Sequence, residues 1–550
     1  VTDGIHSRIK GCESLKKELD LERNYFDDYA QELALSIDPR RGDFFESDSK
    51  ERGRRKDQKF INNTVLKARR ICVSGMIAGT SSPSKPWFKL ETVDRQLMRS
   101  GNVREWAHEV ENTVKTILNE SKFYRAINKF LTELTTFSTA VVVQEDDFDS
   151  VVRFKVPTWG TFWLGYDHRD NLSVFILETK MFARQLAGEF GKENLPDEIQ
   201  KEIDNGSSEA RHAVTQCIEL NPDFDEDKLE SRFKRYRSIK YLSKHTSHPP
   251  LSERGFDQMP AFAVRWETVG EEAYGTGGPG MVALGDNNGL QEQERIKAKG
   301  VARTVSPLLK GPPGLKNLNN KNLTSGLIAY DDNANREGLQ PVFTVDQRLG
   351  ELREDMAATE RRIDEAFFVD LFQTISSLEG IQPRNELELT SRNQESLTVL
   401  GPVLEAIQTD LLTGVLQRIY NRADEAGLLP PLPPELEGGS LEIRFIGSLA
   451  QAQRSSDAAN IIDFANVVGA LVGAGFEAAK DKLDVDATID NYSQFTGVVP
   501  DVVVSSEEAQ QTREGRAQLQ AEAAQLEAQN QQASANVQNA SAAKMVNEIE

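Results

Sequence analysis

Apolar residues along this chain keep two different periods. Residues 103–120 carry Val103, Trp106, Val110, Val114 and Ile117, and residues 121–137 repeat the spacing with Phe123, Ile127, Phe130, Leu131 and Leu134. Such a stripe belongs to helices packed on one side, so two consecutive helices are predicted. The period then shortens. The runs TAVVVQE, VVRFKVP, FWLGY and SVFILE, between residues 139 and 178, are β-branched and aromatic and are broken by Asp, Gly and Pro. They predict an antiparallel sheet. MFARQLAGEFG returns to helical spacing, with Gly191 as its stop. Residues 192–258 are acidic and weakly patterned, and PAFAVRWE, 260–267, reads as a strand.

The rest of the chain alternates helices with punctuation. Residues 11–36 read as a charged helix and 37–58 as a polar linker. Residues 59–77, with Phe60, Val65, Ile71 and Val73, read as a helix stopped at Gly75, Met76 and Gly79. YGTGGPG, 274–280, is a turn opening a helix to about residue 309, and KGPPGLKNLNNKNLTSGLIAYDD predicts short strands. Residues 346–372 form a charged helix and 373–386 a loop. Residues 387–427 form a second long helix, interrupted at Gly401 and Pro402 because proline removes a hydrogen bond of the ladder. LEIRFIG is a strand, and 449–475 an Ala-rich helix. From 505 on the chain is Glu, Gln, Ala, Asn and Ser, either a polar helix or disordered. There is no internal repeat. The fold class expected is α+β, mainly helical.

Composition narrows the function classes. The 550 residues carry 65 Lys and Arg against 86 Asp and Glu, a net charge of −21. Phosphate binding needs clustered cations, so general nucleic-acid binding is excluded. One segment departs from the balance: Arg295, Lys297, Lys299, Arg303, Lys310, Lys316 and Lys321 follow one another with no acidic residue between Arg295 and Lys321. It reads as an ordinary basic surface or, more sharply, as a contact for a polyanion or an acidic partner. Cys12, Cys72 and Cys217 lie far apart with no C-x-x-C, which argues against a disulfide scaffold or a zinc site and suits a reducing cytosol. No apolar run approaches about 18 residues, so no membrane span is expected. The first residues lack the apolar core of a signal peptide, and with Val1 in place of Met the start reads as truncated or processed.

Catalytic constellations are not found. None of the six histidines sits in H-E-x-x-H, and His245 and His248 lack neighbours at ligand spacing and read as a loop pair. The glycines around Gly191-Lys192 are too close for a phosphate loop, and Pro279 removes an N–H that such a loop would need. QEDDFD, 144–149, clusters Asp146, Asp147 and Asp149 at a hairpin tip. A turn is the simplest reading; a cation site, and with it a metal-dependent hydrolase, is the alternative. No cofactor, metal or enzymatic activity is expected.

The stretch NNTVLKARRICVSGMIAGTSSPSKPWFKL, 62–90, resembles the opening of the head-to-tail connecting (portal) proteins of short-tailed, podovirus-type bacteriophages. In order along the chain, ESKFYRAINKFLTELTTFSTAVVVQED, KMFARQLAGEFG, VRWETVGEEAYGTGGPGMVALGD, RRIDEAFFVDLF, LGPVLEAI and GSLAQAQR are similar to further segments of that family. QPRNELELTSRNQE departs from it, and 505–550 matches nothing in it.

The resemblance implies a subunit with wing, stem, clip and crown in a ring of about twelve copies around a channel. Laid on this chain, 1–58 is an N-terminal helix and linker, 59–273 the wing, 274–310 the first stem helix and 311–345 the clip. Residues 346–372 are the second stem helix, 373–386 a tunnel loop with Ser376, Ser377, Glu379, Gln382 and Arg384, 387–447 a kinked helix and return wing strand, 448–504 the crown and 505–550 the tail. The implied partners are further copies, double-stranded DNA, terminase, a tail adaptor, and capsid and scaffolding proteins, without a membrane. The implied place is one capsid vertex, after assembly in the host cytoplasm. A coiled-coil scaffold or adaptor built on the charged helices is the alternative, opposed by the sheet-forming block at 139–180. Gly75, Gly79, Pro83 and Pro86 are expected to fix a stiff turn that pins Trp87 and Phe88 into a core, at about 150–250 Å2 each, or at a subunit boundary.

Overall fold

The computed structural model describes residues 2–39, 41–42, 60–92, 100–206, 210–228, 230–305, 309–311, 328–330, 340–341, 349–377, 399–436, 441–446 and 464–476, with single positions at 97 and 307 and scattered ones between 482 and 523. The chain divides into two compact units. One is Val1–Lys85 with Val114–Leu428, and the other is Pro86–Thr113 with Leu429–Glu550.

The larger unit is built on α4 (Phe123–Phe137), whose last eight residues are all buried. Around it stand α1 (Thr2–Ser36), α2 (Thr64–Thr80) and the start of α7 (Pro279–Val305). A buried ionic cluster joins them. Asp38, just after α1, takes Arg69 of α2 and Arg41, each at 2.5 Å. Arg41 also reaches Glu133 of α4 at 2.7 Å, and the other Glu133 oxygen accepts from Thr158 Oγ1 at 3.2 Å. Burial raises the Glu133 carboxyl above its ordinary pKa, against the pull of Arg41. α1, read from the sequence as a charged helix over 11–36, is thus part of the core, with Ile9, Cys12 and Leu19 packed on the main sheet.

β2 (Thr139–Asp147) leaves α4 through Ser138, at φ 62°. It is the middle of a three-stranded antiparallel sheet between β3 (Val151–Lys155) and β9 (Ala261–Arg265). The second sheet is a five-stranded antiparallel meander: β4 (Phe162–Tyr166), β5 (Leu172–Phe182), β6 (Arg211–Leu220), β7 (Tyr236–Leu242) and β8 (Ser252–Phe256). Between β5 and β6 lie α5 (Ala183–Phe190) and α6 (Asp197–Asp204). The acidic block at 192–258, weakly patterned in the sequence, thus contributes three strands. Arg237 meets Glu219 at 2.6 Å on the same sheet face as the buried Cys217, Ile239 and Tyr241, and Val214 and Ile218 are buried as well.

The stop expected at Gly75 is corrected. α2 runs on to Thr80, and Gly75 and Gly79 lie inside it. A Cβ on Gly75 would sit 2.2 Å from the Phe372 ring, so glycine is needed there for close packing and not for a turn. The bend comes afterwards, around Ser81 to Lys85, with Pro83 in it. α8 (Leu349–Ala366) also ends earlier than expected. Phe368 takes φ 55°, and a separate α9 (Val369–Ser377) comes next, so the loop expected from residue 373 begins as helix.

α10 (Val399–Glu425) runs through Gly401 and Pro402 as helix, and its departure from α geometry lies at Ile407–Thr413, which is a π-helix. There the Thr413 hydroxyl donates to Gln408 O, five residues back, at 2.8 Å. Contrary to the expectation from run length, α10 is long and apolar enough to cross a membrane by those measures alone. Its Leu400, Leu404, Ile407, Leu411, Val415 and Ile419 are buried in the protein, as in the core helix of a folded domain.

In the smaller unit β1 (Phe88–Thr92) pairs antiparallel with β13 (Leu441–Phe445), the return strand. Trp87 and Phe88 are buried, their rings 4.7 Å apart, and Trp87 stacks on Phe445 at 6.3 Å. α3 (Gly101–Glu120) brings Glu111 to the Leu90 amide at 2.8 Å, and the Trp106 indole donates to Pro430 O at 3.1 Å. Trp87 and Phe88 thus pack against Phe445 and each other within this unit, as the core alternative expected.

Candidate functional site

The expected site residues fall mainly on α7 and on the chain beyond its C-terminus. α7 starts from the turn YGTGGPG, and the glycines there are seats for a close approach. A Cβ on Gly278 would lie 2.4 Å from Ser138 Oγ, and one on Gly280 would lie 2.6 Å from Thr136 O. The Gly278 amide donates to Ser138 Oγ at 3.0 Å, so the turn is docked on the C-terminus of α4. α8 returns antiparallel to α7. Arg362 meets Asp286 at 3.0 Å, and Gln293 donates to Asp355 at 2.5 Å.

The chain entering α2 ties into the same pair. Gln291 accepts from the Ile61 and Asn62 amides at 2.8 and 3.1 Å and donates to Asn62 O at 2.8 Å, while the Asn62 side chain donates to Glu360 at 2.8 Å. Asn287 and Gln291 are buried on the same face as Ala283 and Leu284. Sequence reasoning missed this lacing, and its one-dimensional signal is a pair of amides one turn apart inside an apolar stripe.

The described members of the basic run differ in their surroundings. Arg295 pairs with Glu292 at 3.0 Å and Lys297 with Glu294 at 2.6 Å, both carboxylates lying just before the run begins. Lys299 and Arg303 are exposed, with no carboxylate partner among the described residues. Arg303 stands in the last turn, where the helix dipole favours a cation. Lys310 lies in β10 (Leu309–Gly311), which pairs parallel with β11 (Ile328–Tyr330) and antiparallel with β12 (Gln340–Pro341). Lys316, Lys321, Glu379, Gln382 and Arg384 lie outside the described residues. Ser376 and Ser377 end α9.

The cation-site alternative loses its ligands. Asp146 is held by Arg418 at 3.0 Å and Arg422 at 3.2 Å, and Asp147 accepts from the Ser150 hydroxyl at 2.8 Å. His245 and His248 share a turn, with His248 N bonded to His245 O at 2.9 Å. The fold does bring together two distant cysteines. Cys12, Cys217 and Glu219 place potential ligand atoms within 4.8 Å of one another. Contact with Cys12 and burial push the Cys217 thiol well up, and Arg237 holds Glu219 through two bonds of 2.8 and 2.6 Å. A Cys217 thiol held protonated and an engaged carboxylate make this a packed pair of cysteines.

The described residues of the expected site thus gather on and beyond a pair of antiparallel helices laced to the chain entering α2. Residues 10–503 match the family of bacteriophage head to tail connecting proteins, and the chain belongs to that family. It is 34% identical to the portal protein of Salmonella phage epsilon15 over 507 residues, 92% of this chain and 90% of that protein. It is 31% identical, over the same shares, to the probable portal protein of Bordetella phage BPP-1. Similarity of that extent gives the chain a phage portal, or head-tail connector, role. Among solved structures, a chain from the neck of an empty gene transfer agent (GTA) particle is similar at 11% identity and a TM-score of 0.36, over 74% of this chain and 86% of that one. At that score the likeness carries no weight for this chain.

Proposed function

We propose that this chain assembles with copies of itself into a ring of about twelve subunits around a channel, closed rings being the usual end of head-to-tail contacts between identical chains. Double-stranded DNA passes through the ring during packaging and ejection. The ring sits at one capsid vertex, is assembled in the host cytoplasm with scaffolding and capsid proteins, and is the platform on which terminase and a tail adaptor dock. The chain itself performs no chemistry, and terminase supplies the force. The observation that carries this reading is the family match over residues 10–503 together with relatives named as portal proteins along 92% of the chain.

In this reading α7 and α8 are the stem, β10 to β12 belong to the clip, the segment after α9 is the tunnel loop, and the Ala-rich helix after 448 belongs to the crown. The net charge of −21 supports loose passage, because an acidic wall repels phosphates and leaves no deep binding minimum. Lys299 and Arg303, with Lys297, touch DNA phosphates at the constriction or an acidic adaptor.

Mass photometry of the purified chain, with negative-stain images, tests the ring. Rings with a central hole are expected. A monomer or dimer at every salt concentration, with scaffolding protein co-expressed, would overturn the reading. The triple change Lys297→Glu, Lys299→Glu and Arg303→Glu is expected to leave rings intact and to reduce packaged DNA or tail attachment. If both were unchanged, the basic residues have no such contact.

A further inference from the structure

A cavity of about 270 Å3 opens where β3 meets the meander and α5 covers the junction. Three cations and two carboxylates line it: Arg153, Lys155 and Lys240 against Glu145 and Glu189. Both carboxylates are engaged. Glu145 takes Arg153 at 2.6 Å and Lys240 at 3.3 Å, and Glu189 takes Lys240 at 3.1 Å. Lys155 is left with a neutral partner, the Thr179 hydroxyl, at 2.9 Å. Its ammonium is largely buried, and that burial lowers its pKa against the pull of Glu145.

An ammonium held away from water without a dedicated counter-ion is unfavourable, and proteins seldom keep one where nothing is to be received. Here it borders open space in a molecule whose net charge repels anions. The cavity lies below the roughly 300–1,000 Å3 of drug-sized ligand sites, so its occupant is small. We propose that this cavity binds a single small oxyanionic group, a phosphate or a carboxylate, with Lys155 as the receiving charge and Thr179 holding the ammonium in place. The group comes either from a free anion or from an acidic side chain of a second copy of this chain. The chemistry is shared, and the site is independent of what the ring conducts.

The test uses the full chain exchanged into phosphate-free buffer. Inorganic phosphate and acetate are titrated by calorimetry into the wild type, Lys155→Met and, as a control, Lys180→Met on exposed β5 surface. Saturable binding is expected in the wild type and the control, weakened at least tenfold in Lys155→Met. Without anion, Lys155→Met is expected to melt no lower than the wild type, because an uncompensated charge has been removed. If it fails to fold, Lys155→Gln takes its place. Self-association of the same variants by mass photometry separates the sources. Loss of association in Lys155→Met, with no free anion bound by the wild type, assigns the group to a second copy. The proposal is overturned if the wild type binds neither anion and association does not change on substitution.

Discussion

One helix of this protein lives in two environments. The first half of α7 is seated, with Pro279, Gly280, Ala283, Leu284, Asn287, Leu290 and Gln291 buried. Its last turns stand clear, with Ile296 54%, Val301 44% and Val305 77% exposed beside Lys299 and Arg303. In the seated half several residue choices have a cause inside the chain. Gly280 meets the carbonyls of Thr135 and Thr136, and Asn287 and Gln291 answer neighbouring backbone, while Gly285 and Gly289 on the open side meet nothing within 4 Å. In the distal half no such cause exists among the described residues, and apolar and basic side chains face outward together. Exposed apolar positions grouped with one sign of charge mark surface made for another molecule. The same helix is thus packed into the fold at one end and presents open surface at the other.

The comparison breaks most directly at the foundation of the seat. α4 carries the start of α7 and is itself held by Asp38, Arg41, Arg69 and Glu133. Arg41→Met leaves Glu133, which is 4% exposed, without its cation. Removing one partner of a buried pair costs about 3–5 kcal/mol, and urea unfolding should read a loss of that order. In a Glu133→Gln background the same change should cost much less, since no charge is then abandoned. A loss below about 1 kcal/mol in both backgrounds, the range of an exposed pair, would mean that the cluster does not support the seat.

Much of this was legible from residue spacing, and the failures have physical reasons. α3, α4 and the strands from β2 to β5 followed from their periods, because one side of each faces a core. The family was legible from ordered segments such as SGMIAG and PWF. β6 to β8 were not, because Glu219, Arg237 and Lys240 interrupt the apolar pattern and only the fold shows them paired, Arg237 with Glu219 and Lys240 with Glu145. Gly75 was misread because a helical glycine pressed by Phe372 and a turn glycine look alike in one dimension. The cavity around Lys155 draws Glu145, Glu189 and Lys240 from three separate elements, and no spacing along the chain announces such a meeting.

At the seat itself the effect should be intermediate. Gly280→Ala would put a methyl group 2.6 Å from Thr136 O and 2.9 Å from Thr135 O, both backbone atoms that cannot swing away. Overpacking of that kind costs about 1–3 kcal/mol, more than the gain of about 1 kcal/mol from replacing glycine in a helix. A lowered urea midpoint with an unchanged slope is expected. An unchanged or higher midpoint would show that α7 is not pressed onto α4.

The smallest effect, and the sharpest contrast, lies about twenty residues along the same helix. A Cβ added at Gly300 meets nothing within 4 Å, so Gly300→Ala has no clash to set against its helix propensity. The dispersed subunit should gain about 0.5–1 kcal/mol, a modest rise in melting temperature. The measurement is then repeated on assembled rings, where the comparison turns on what faces the distal half. A gain retained on assembly places Gly300 toward solvent or the channel. A gain in the dispersed subunit that becomes a loss of assembly means that another backbone comes within methyl contact of Gly300, and the glycine is then explained by a neighbour as Gly280 is explained by α4. A loss already present in the dispersed subunit would contradict the exposed distal half and remove the ground for treating α7 as two regions.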